Sequence, residues 1–372
     1  MSEVLILAGA RTPFGTWSHG TTGRGTPGGA LKELDPFDLG AAALTGALVR
    51  AGRAPDEVGF AAFGNMYQAG AHGCYGARYV TLRAGCPDSV PGVAVNLACG
   101  TGLLALRTAA ESVARGETDL AAAVGADAPS RLRRDVFVPS FTDLACGKHI
   151  AKTAEERAAE KGVTRARMDE WARRSHRRAA ENAAALGEEI VPLPALAADD
   201  WVLDDPSPER FAAARALFDD AGPMTHANVH GVVDGGAALL LAAPKAARGR
   251  ALGRLVSTAI VGTAPERMAY AAVPAVFKAL ESARWRPQDA DLWELNETFA
   301  AQVLLDLDAL GLDPARVNPR GGAIALGHPF GATGLRLVLS LLLELRRRGL
   351  RRGVAAISVG GGLGIAACVE AL

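Results

Sequence analysis

One order of elements is written into this 372-residue chain twice, and that repeat limits the folds open to it more than any other feature. In the N-terminal half a helix is expected over residues 36–52, with Asp35 as N-cap and Gly52 as its stop. Pro55-Asp56-Glu57-Val58, a strand-like run and Asn65 follow. In the C-terminal half a helix over residues 274–284 leads to Pro287-Gln288-Asp289-Ala290, another strand-like run and Asn296. The correspondence continues downstream. Ala94-Val95-Asn96 leads to Cys99-Gly100-Thr101-Gly102, an Ala/Leu-rich helix and a strand over 120–124. Arg316-Val317-Asn318 leads to His328-Pro329-Phe330-Gly331-Ala332-Thr333-Gly334, a Leu-rich helix and a strand over 354–359. Helices alternating with short apolar strands imply an α/β protein with βα units around mostly parallel sheets. Two such halves can pack face to face and share helices.

Between the halves, residues 129–230 break the pattern with more charge and proline, and helices are expected over 153–161 and 164–187. The second carries Arg165, Arg167, Arg173, Arg174, Arg177 and Arg178. A solvated face is the favoured reading; a phosphate-binding surface is the other. Lys plus Arg and Asp plus Glu balance at 40 each, so no global field points to nucleic acid. The five cysteines are widely spaced and form no CxxC pair, which argues against a disulfide framework or a zinc site. With no basic leader before Val4-Leu5-Ile6-Leu7 and no long apolar run, a cytoplasmic protein without a membrane span is expected.

Four places can carry chemistry. Cys99 lies between a strand and a helix, where the helix dipole and free backbone N–H groups favour thiolate. The competing reading is a small buried hydrophobe, and Cys74, Cys86, Cys146 and Cys368 keep that reading. His328 holds the place in its half that Cys99 holds in the other. If a pseudo-two-fold relates the halves, a Cys–His pair results, in which imidazole accepts the thiol proton. Without the repeat, a hydrogen-bonded loop histidine is the simpler view. Asn296 can hold a water or donate to an oxyanion, although spacing favours an N-cap for the following helix. Ser358-Val359-Gly360-Gly361-Gly362-Leu363-Gly364 is a glycine turn whose N–H groups can form an oxyanion hole, or it is a turn and no more. A strand follows it, so it is not a dinucleotide fingerprint.

With these motifs in place the chain resembles the thiolase family over nearly its whole length, in the acetyl-CoA acetyltransferase branch. The likeness runs from Ala10-Arg11-Thr12-Pro13-Phe14-Gly15 through Gly64-Asn65 with Gln68-Ala69-Gly70, the Cys99 motif and Lys152-Thr153-Ala154-Glu155. It continues through Asp234-Gly235-Gly236-Ala237, Asn296-Glu297-Thr298-Phe299-Ala300 and the long 321–334 motif to the last turn. The resemblance implies the thiolase fold: two similar βα halves in five layers, α-β-α-β-α, with an inserted loop domain. The halves would be residues 1–128 plus 231–250 and residues 251–372, with the loop domain at 129–230 on the coenzyme A side. It also implies a homodimer or homotetramer that takes an acyl-CoA substrate and keeps no permanently bound cofactor or metal. In the implied ping-pong cycle Cys99 takes the acyl group and His328 activates it. One oxyanion hole would come from His328 with a water on Asn296, the other from the N–H groups of Cys99 and Gly360. His149, Ala227, His230 and Phe299 fall in segments that border the substrate.

Three departures stand out. Ser358 occupies the position of the family's second, acid/base cysteine, and an alcohol is a far weaker acid than a thiol. Asn228-Val229-His230-Gly231 replaces the usual Asn-Ala-Ser-Gly, and Ile150-Ala151-Lys152 replaces a usual Met-Gly. Residues 17–29, rich in Gly and Thr, resemble an insertion. Three functions are therefore expected in order. The first is Claisen condensation or thiolysis through acyl-Cys99. The second is acyl transfer to water or another acceptor, with little carbanion chemistry because of Ser358. The third is a non-catalytic subunit. His149 and His230 are the candidates to replace the missing acid/base.

Overall fold

The computed structural model describes residues 3–68, 72–218 and 222–372. Ala69 and Gly70 of the Gln68-Ala69-Gly70 motif lie outside the described residues. The first half comprises β1 (Val4–Arg11), β2 (Gly15–Thr16), α1 (Pro36–Ala51), β3 (Phe60–Gly64), α2 (Gly76–Arg83), β4 (Gly92–Val95), α3 (Thr101–Ala114) and β5 (Leu120–Asp127). A middle segment follows with α4 (Arg134–Phe137), β6 (Thr142–Asp143), β7 (Lys148–His149), α5 (Ile150–Glu160), α6 (Arg165–Glu181), α7 (Ala183–Gly187) and α8 (Pro208–Ala212). The rest comprises β8 (Val233–Ala242), β9 (Gly253–Gly262), α9 (Ala272–Ala283), β10 (Leu292–Leu295), α10 (Ala300–Leu310), α11 (Ala323–Leu326), α12 (Phe330–Arg347), β11 (Arg352–Val359) and β12 (Leu363–Ala371).

Local chemistry sets the ends of these elements. The Asp35 carboxylate accepts from Asp38 N at 2.8 Å while Asp38 accepts from Asp35 N, a reciprocal cap that starts α1. Gly52, at φ 60°, ends it in the left-handed conformation. In the second half α9 is closed by Arg284 at φ 58°, the same geometry without glycine's steric freedom.

The strands join in the order β10-β11-β12-β9-β1-β8-β5-β3-β4. The two half-sheets are joined where Val4, Leu5 and Ile6 of β1 pair with β9. Side chains alternate across each strand. Ala121 and Ala123 of β5 face the core built by α3 and α12, whereas Ala122 and Val124 face α1. In β11, Ala355, Ile357 and Val359 face α12, whereas Val354 and Ala356 face α9. The result is five layers: α1 and α2, a half-sheet, α3 with α12, the other half-sheet, then α9 with α10. The expected thiolase architecture is present.

Mostly parallel pairing is not. Only β3–β4, β3–β5 and β10–β11 run parallel among the described strands, and β1, β8, β9 and β12 pair antiparallel. Parallel neighbours need a crossover helix. β12 follows β11 through a glycine turn, and β8 returns from the middle segment, so neither has one.

The arginine-rich helix also differs from both readings of its sequence. Arg165 donates to Phe211 O, Arg173 to Pro206 O, Arg174 to Pro314 O, and Arg178 to Val317 O and Asn318 O. These guanidinium groups fasten α6 to neighbouring segments through backbone carbonyls. The face is neither simply solvated nor free for phosphate.

The central layer is unusually tight. A Cβ on Gly102 would stand 2.6 Å from Gly331 O and 2.8 Å from Gly334 N, inside van der Waals contact with backbone that cannot move aside. Gly102→Ala should therefore cost about 1–3 kcal/mol or more in chemical denaturation. Gly187→Ala, with open space around it, should be neutral or slightly stabilising. Equal effects of the two substitutions would show that the crossing is not close-packed.

Candidate active site

β4 ends at Val95, and the chain reverses sharply before α3. Asn96 Oδ1 accepts from Ala98 N at 2.9 Å, and Thr101 Oγ1 accepts from Leu97 N at 2.8 Å. Ala98 is forced to φ 43°, a conformation that costs a non-glycine residue strain. This turn delivers Cys99 to the start of α3 with 3 % of its surface exposed. Ile365, Val359 and Leu97 would crowd a side chain at Gly100, so the glycine lets the turn sit against the β11–β12 hairpin.

The expectation of a thiolate fails here. Burial pushes the Cys99 thiol up to about 12, although backbone N–H groups of Gly360 and Cys99 itself point at the sulfur and oppose the shift. Desolvation outweighs the helix start, and the buried carboxylate of Asp127 adds to it. Cys99 rests as a neutral thiol that needs a base.

The start of α12 packs against the Cys99 turn, at the crossing that places α3 beside it. His328 immediately precedes that helix. Its Nδ1 lies 2.6 Å from Thr333 Oγ1, and its backbone N–H donates to Gly231 O at 2.9 Å. Nε2 is buried with no hydrogen-bond partner among the described residues. Burial, then His230 and Arg336, holds the ring well below the usual histidine range, so it is neutral. In the tautomer that donates from Nδ1 to Thr333 Oγ1, Nε2 presents a lone pair.

Asn296 is fully buried at the end of β10. The N-cap reading does not hold, because α10 begins at Ala300 behind Phe299 and takes no side-chain cap. Asn296 Nδ2 donates to Thr298 Oγ1 at 3.0 Å, which leaves Oδ1 enclosed and without a partner. Such an atom fits an ordered water.

His230 belongs to a segment laid along residues 298–300: its N–H donates to Thr298 O, and Ala300 N donates to Asn228 O. Phe299 is buried and bridges to Val229. The His230 ring stands 4.9 Å from the His328 ring at 86° and 6.0 Å from Phe330. His149 stands further out. It caps α5 by accepting from Ala151 N at 3.1 Å, and its ring contacts Phe141 and Phe218.

Ser358 is also set apart. Its Oγ accepts from Ala272 N, the first residue of α9, at 2.9 Å. Its neighbours Ile357 and Val359 join the core that holds Cys99, so Ser358 points to the opposite face of β11.

Ala227 and Val229 line a cavity of about 360 Å³, walled on one side by Thr21, Thr22 and Gly25 of the suspected insertion and on another by Arg210 and Arg215. Neither arginine forms an ion pair among the described residues.

Several participants escaped the sequence reading. Thr333 was visible only as part of a motif. Asp127 was a lone acid ending an apolar strand, a signal that was there to read. It accepts from Asn65 Nδ2, Met66 N, Tyr67 N and Gly331 N, and burial pushes it up to about 7. The aromatic wall of Tyr67, Phe137 and Phe141 around Phe330 carried no sequence signal.

Comparison with known proteins agrees with this architecture. The family pattern "Thiolase, N-terminal domain" matches residues 4–245, and "Thiolase, C-terminal domain" matches residues 249–371. The acetyl-CoA acetyltransferase of Cupriavidus necator is 36% identical, with all of both chains covered. The crystal structure of the Bacillus anthracis acetyl-CoA acetyltransferase superposes with a TM-score of 0.93 at 33% identity, over 100% of this chain and 99% of that one. Human mitochondrial 3-ketoacyl-CoA thiolase in complex with CoA superposes with a TM-score of 0.91 at 30% identity, over 100% and 98%. The chain belongs to the thiolase family.

Proposed function

We propose that this protein is an acyl-CoA C-acyltransferase that works by a ping-pong cycle through acyl-Cys99, in Claisen condensation or in thiolysis of a 3-ketoacyl-CoA. The observation that carries the reading is the pairing of opposites at the central crossing. A buried neutral thiol lies under two backbone N–H groups, and the start of α12 next to His328 packs against the turn that carries it. The His328 ring is neutral, and its Nε2 is buried with no hydrogen-bond partner among the described residues.

The steps follow from those groups. His328 Nε2 accepts the Cys99 proton as sulfur attacks the thioester carbonyl. The oxyanion forms beside His328 and a water on Asn296 Oδ1. Collapse expels the CoA thiolate, which recovers the proton from His328. In the second half-reaction the N–H groups of Cys99 and Gly360 face the acyl oxygen. The cavity at Ala227 and Val229 suits the CoA arm, with Arg210 and Arg215 available to phosphates. The cycle requires no permanently bound cofactor and no metal.

A cytoplasmic homodimer or homotetramer suits β4. It is the edge strand of the sheet, exposes Val93, and leads directly into the Cys99 turn. The second reading, acyl transfer to water without carbon–carbon chemistry, draws on Ser358, which is engaged with α9 rather than with Cys99. A non-catalytic subunit is disfavoured by the unpartnered buried atoms of His328 and Asn296, which would be a cost without a ligand.

Intact-mass spectrometry after incubation with acetyl-CoA should show one acetyl group on Cys99, and Cys99→Ala should abolish it. Label on Cys74, Cys86, Cys146 or Cys368 instead would refute the assignment. His328→Ala should slow acylation by roughly two or more orders of magnitude, the usual scale for a general base. Because burial disfavours the thiolate, alkylation of Cys99 by iodoacetamide in the free protein should keep rising beyond pH 9.0, the ordinary thiol value. A plateau near neutrality would contradict a neutral buried thiol.

A further inference from the structure

We propose that His230 is the second acid/base of this site, the group that removes the α-proton of the acceptor acyl thioester. The inference rests on the acyl-Cys99 reading and extends it from acyl loading to carbon–carbon bond formation.

Once Cys99 carries an acyl group, condensation needs a base at the α-carbon of a second thioester. Ser358 cannot serve: its hydroxyl is bonded to the start of α9, on the strand face away from Cys99. His149 cannot serve from where it stands, because its Nδ1 caps α5 and its ring packs between Phe141 and Phe218. His230 remains. Its ring meets His328 edge to face at 4.9 Å and packs on Phe330, so the two imidazoles lie in contact.

The bonding of His230 selects its reactive atom. Nδ1 lies 3.1 Å from Gly231 O, which can only accept, so Nδ1 carries the proton and Nε2 the lone pair. No partner occupies Nε2 among the described residues, and the residue keeps 9 % of its surface open. The segment that carries it is pinned on both sides: His230 N donates to Thr298 O, and Gly231 O accepts from His328 N. The ring is therefore held against His328 rather than free in a loop. Burial pushes it down to about 4, which keeps it a proton acceptor at neutral pH.

The step balances. Nε2 of His230 takes the α-proton, and the C–H electron pair becomes the enolate. The enolate carbon attacks the acyl carbon of the Cys99 thioester. The C–C bond forms, the C–S bond breaks, and sulfur leaves with its electron pair. The proton passes from His230 to that thiolate, directly or through His328, and Cys99 returns to the thiol. In thiolysis the same atoms act in reverse.

His230→Asn tests this, because asparagine keeps a donor toward Gly231 O and loses the base. Acetyl loading of Cys99, followed by intact mass, serves as the measure of a folded site. Condensation and deuterium uptake into the acetyl methyl group from D2O measure the α-proton step. The variant should load Cys99 within about threefold of wild type and lose at least about 100-fold in both condensation and exchange. Condensation at the wild-type rate in the variant would overturn the proposal. So would a parallel fall in loading and condensation, which a merely structural histidine would give. A wild-type chain that loads Cys99 but neither condenses nor exchanges would overturn the role of His230 and leave acyl-Cys99 standing. Absence of acyl mass on Cys99 would overturn both readings.

Discussion

The backbones of α3 and α12 touch at Gly102, Gly331 and Gly334, and the active site depends on that contact. No side chain separates the helices there: a Cβ on Gly334 would overlap Leu103 N, and one on Gly125 of β5 would overlap Gly331 O. A methyl group at any of these points would push the helix starts apart, and those starts carry Cys99 and His328. In the proposed cycle close packing has a chemical purpose, since a proton transfer tolerates little misplacement. Asp127 reinforces the contact from the side. It binds Gly331 N at the start of α12 together with Asn65, Met66 and Tyr67, so one carboxylate ties the helix to the loop after β3.

The same burial sets the charge state of every reacting group. Thiol, both imidazoles and Asp127 are all moved toward their neutral forms, with desolvation the largest cause in each case. In the proposed cycle a neutral Cys99 and a neutral His328 store no charge at rest, and charge appears only as the thioester is attacked, when N–H groups already in place are stronger for lack of water. Away from the site the opposite solution holds. Arg11, Glu189, Arg320 and Glu344 form a buried chain of ion pairs that binds the first strand, the middle segment and the end of α12. Removing one member would strand a buried charge.

Much of the fold and half of the site were legible in the sequence. The caps at Asp35 and Gly52 and the glycines beside Cys99 and His328 are local signals, and the repeat is a match between two stretches of such signals. From them come the βα units and the expectation that one cysteine meets one histidine; the five layers came from the family resemblance. The motifs also named Asn296 and the turn at Gly360. Local signals could not supply strand direction, because β8 and β12 owe their antiparallel pairing to where the chain re-enters the sheet. They misjudged Asn296 as a cap, because α10 begins only at Ala300, and the α6 arginines as a surface, because their partners lie far along the chain, as Pro314 does for Arg174.

By itself, then, the sequence determined which residue types stand at the ends of which elements, because turns, caps and glycine contacts are decided by neighbours in the chain. Tertiary structure decided their state and their company. Cys99 became a thiol rather than a thiolate because the β11–β12 hairpin and α12 cover it and exclude water. Ser358 was turned toward α9 by the two-residue alternation of its strand. His230, one of two equivalent candidates in the sequence, was placed against His328 while His149 was spent on a helix cap. Desolvation and side-chain direction are properties of the packed chain, and no spacing along it encodes them.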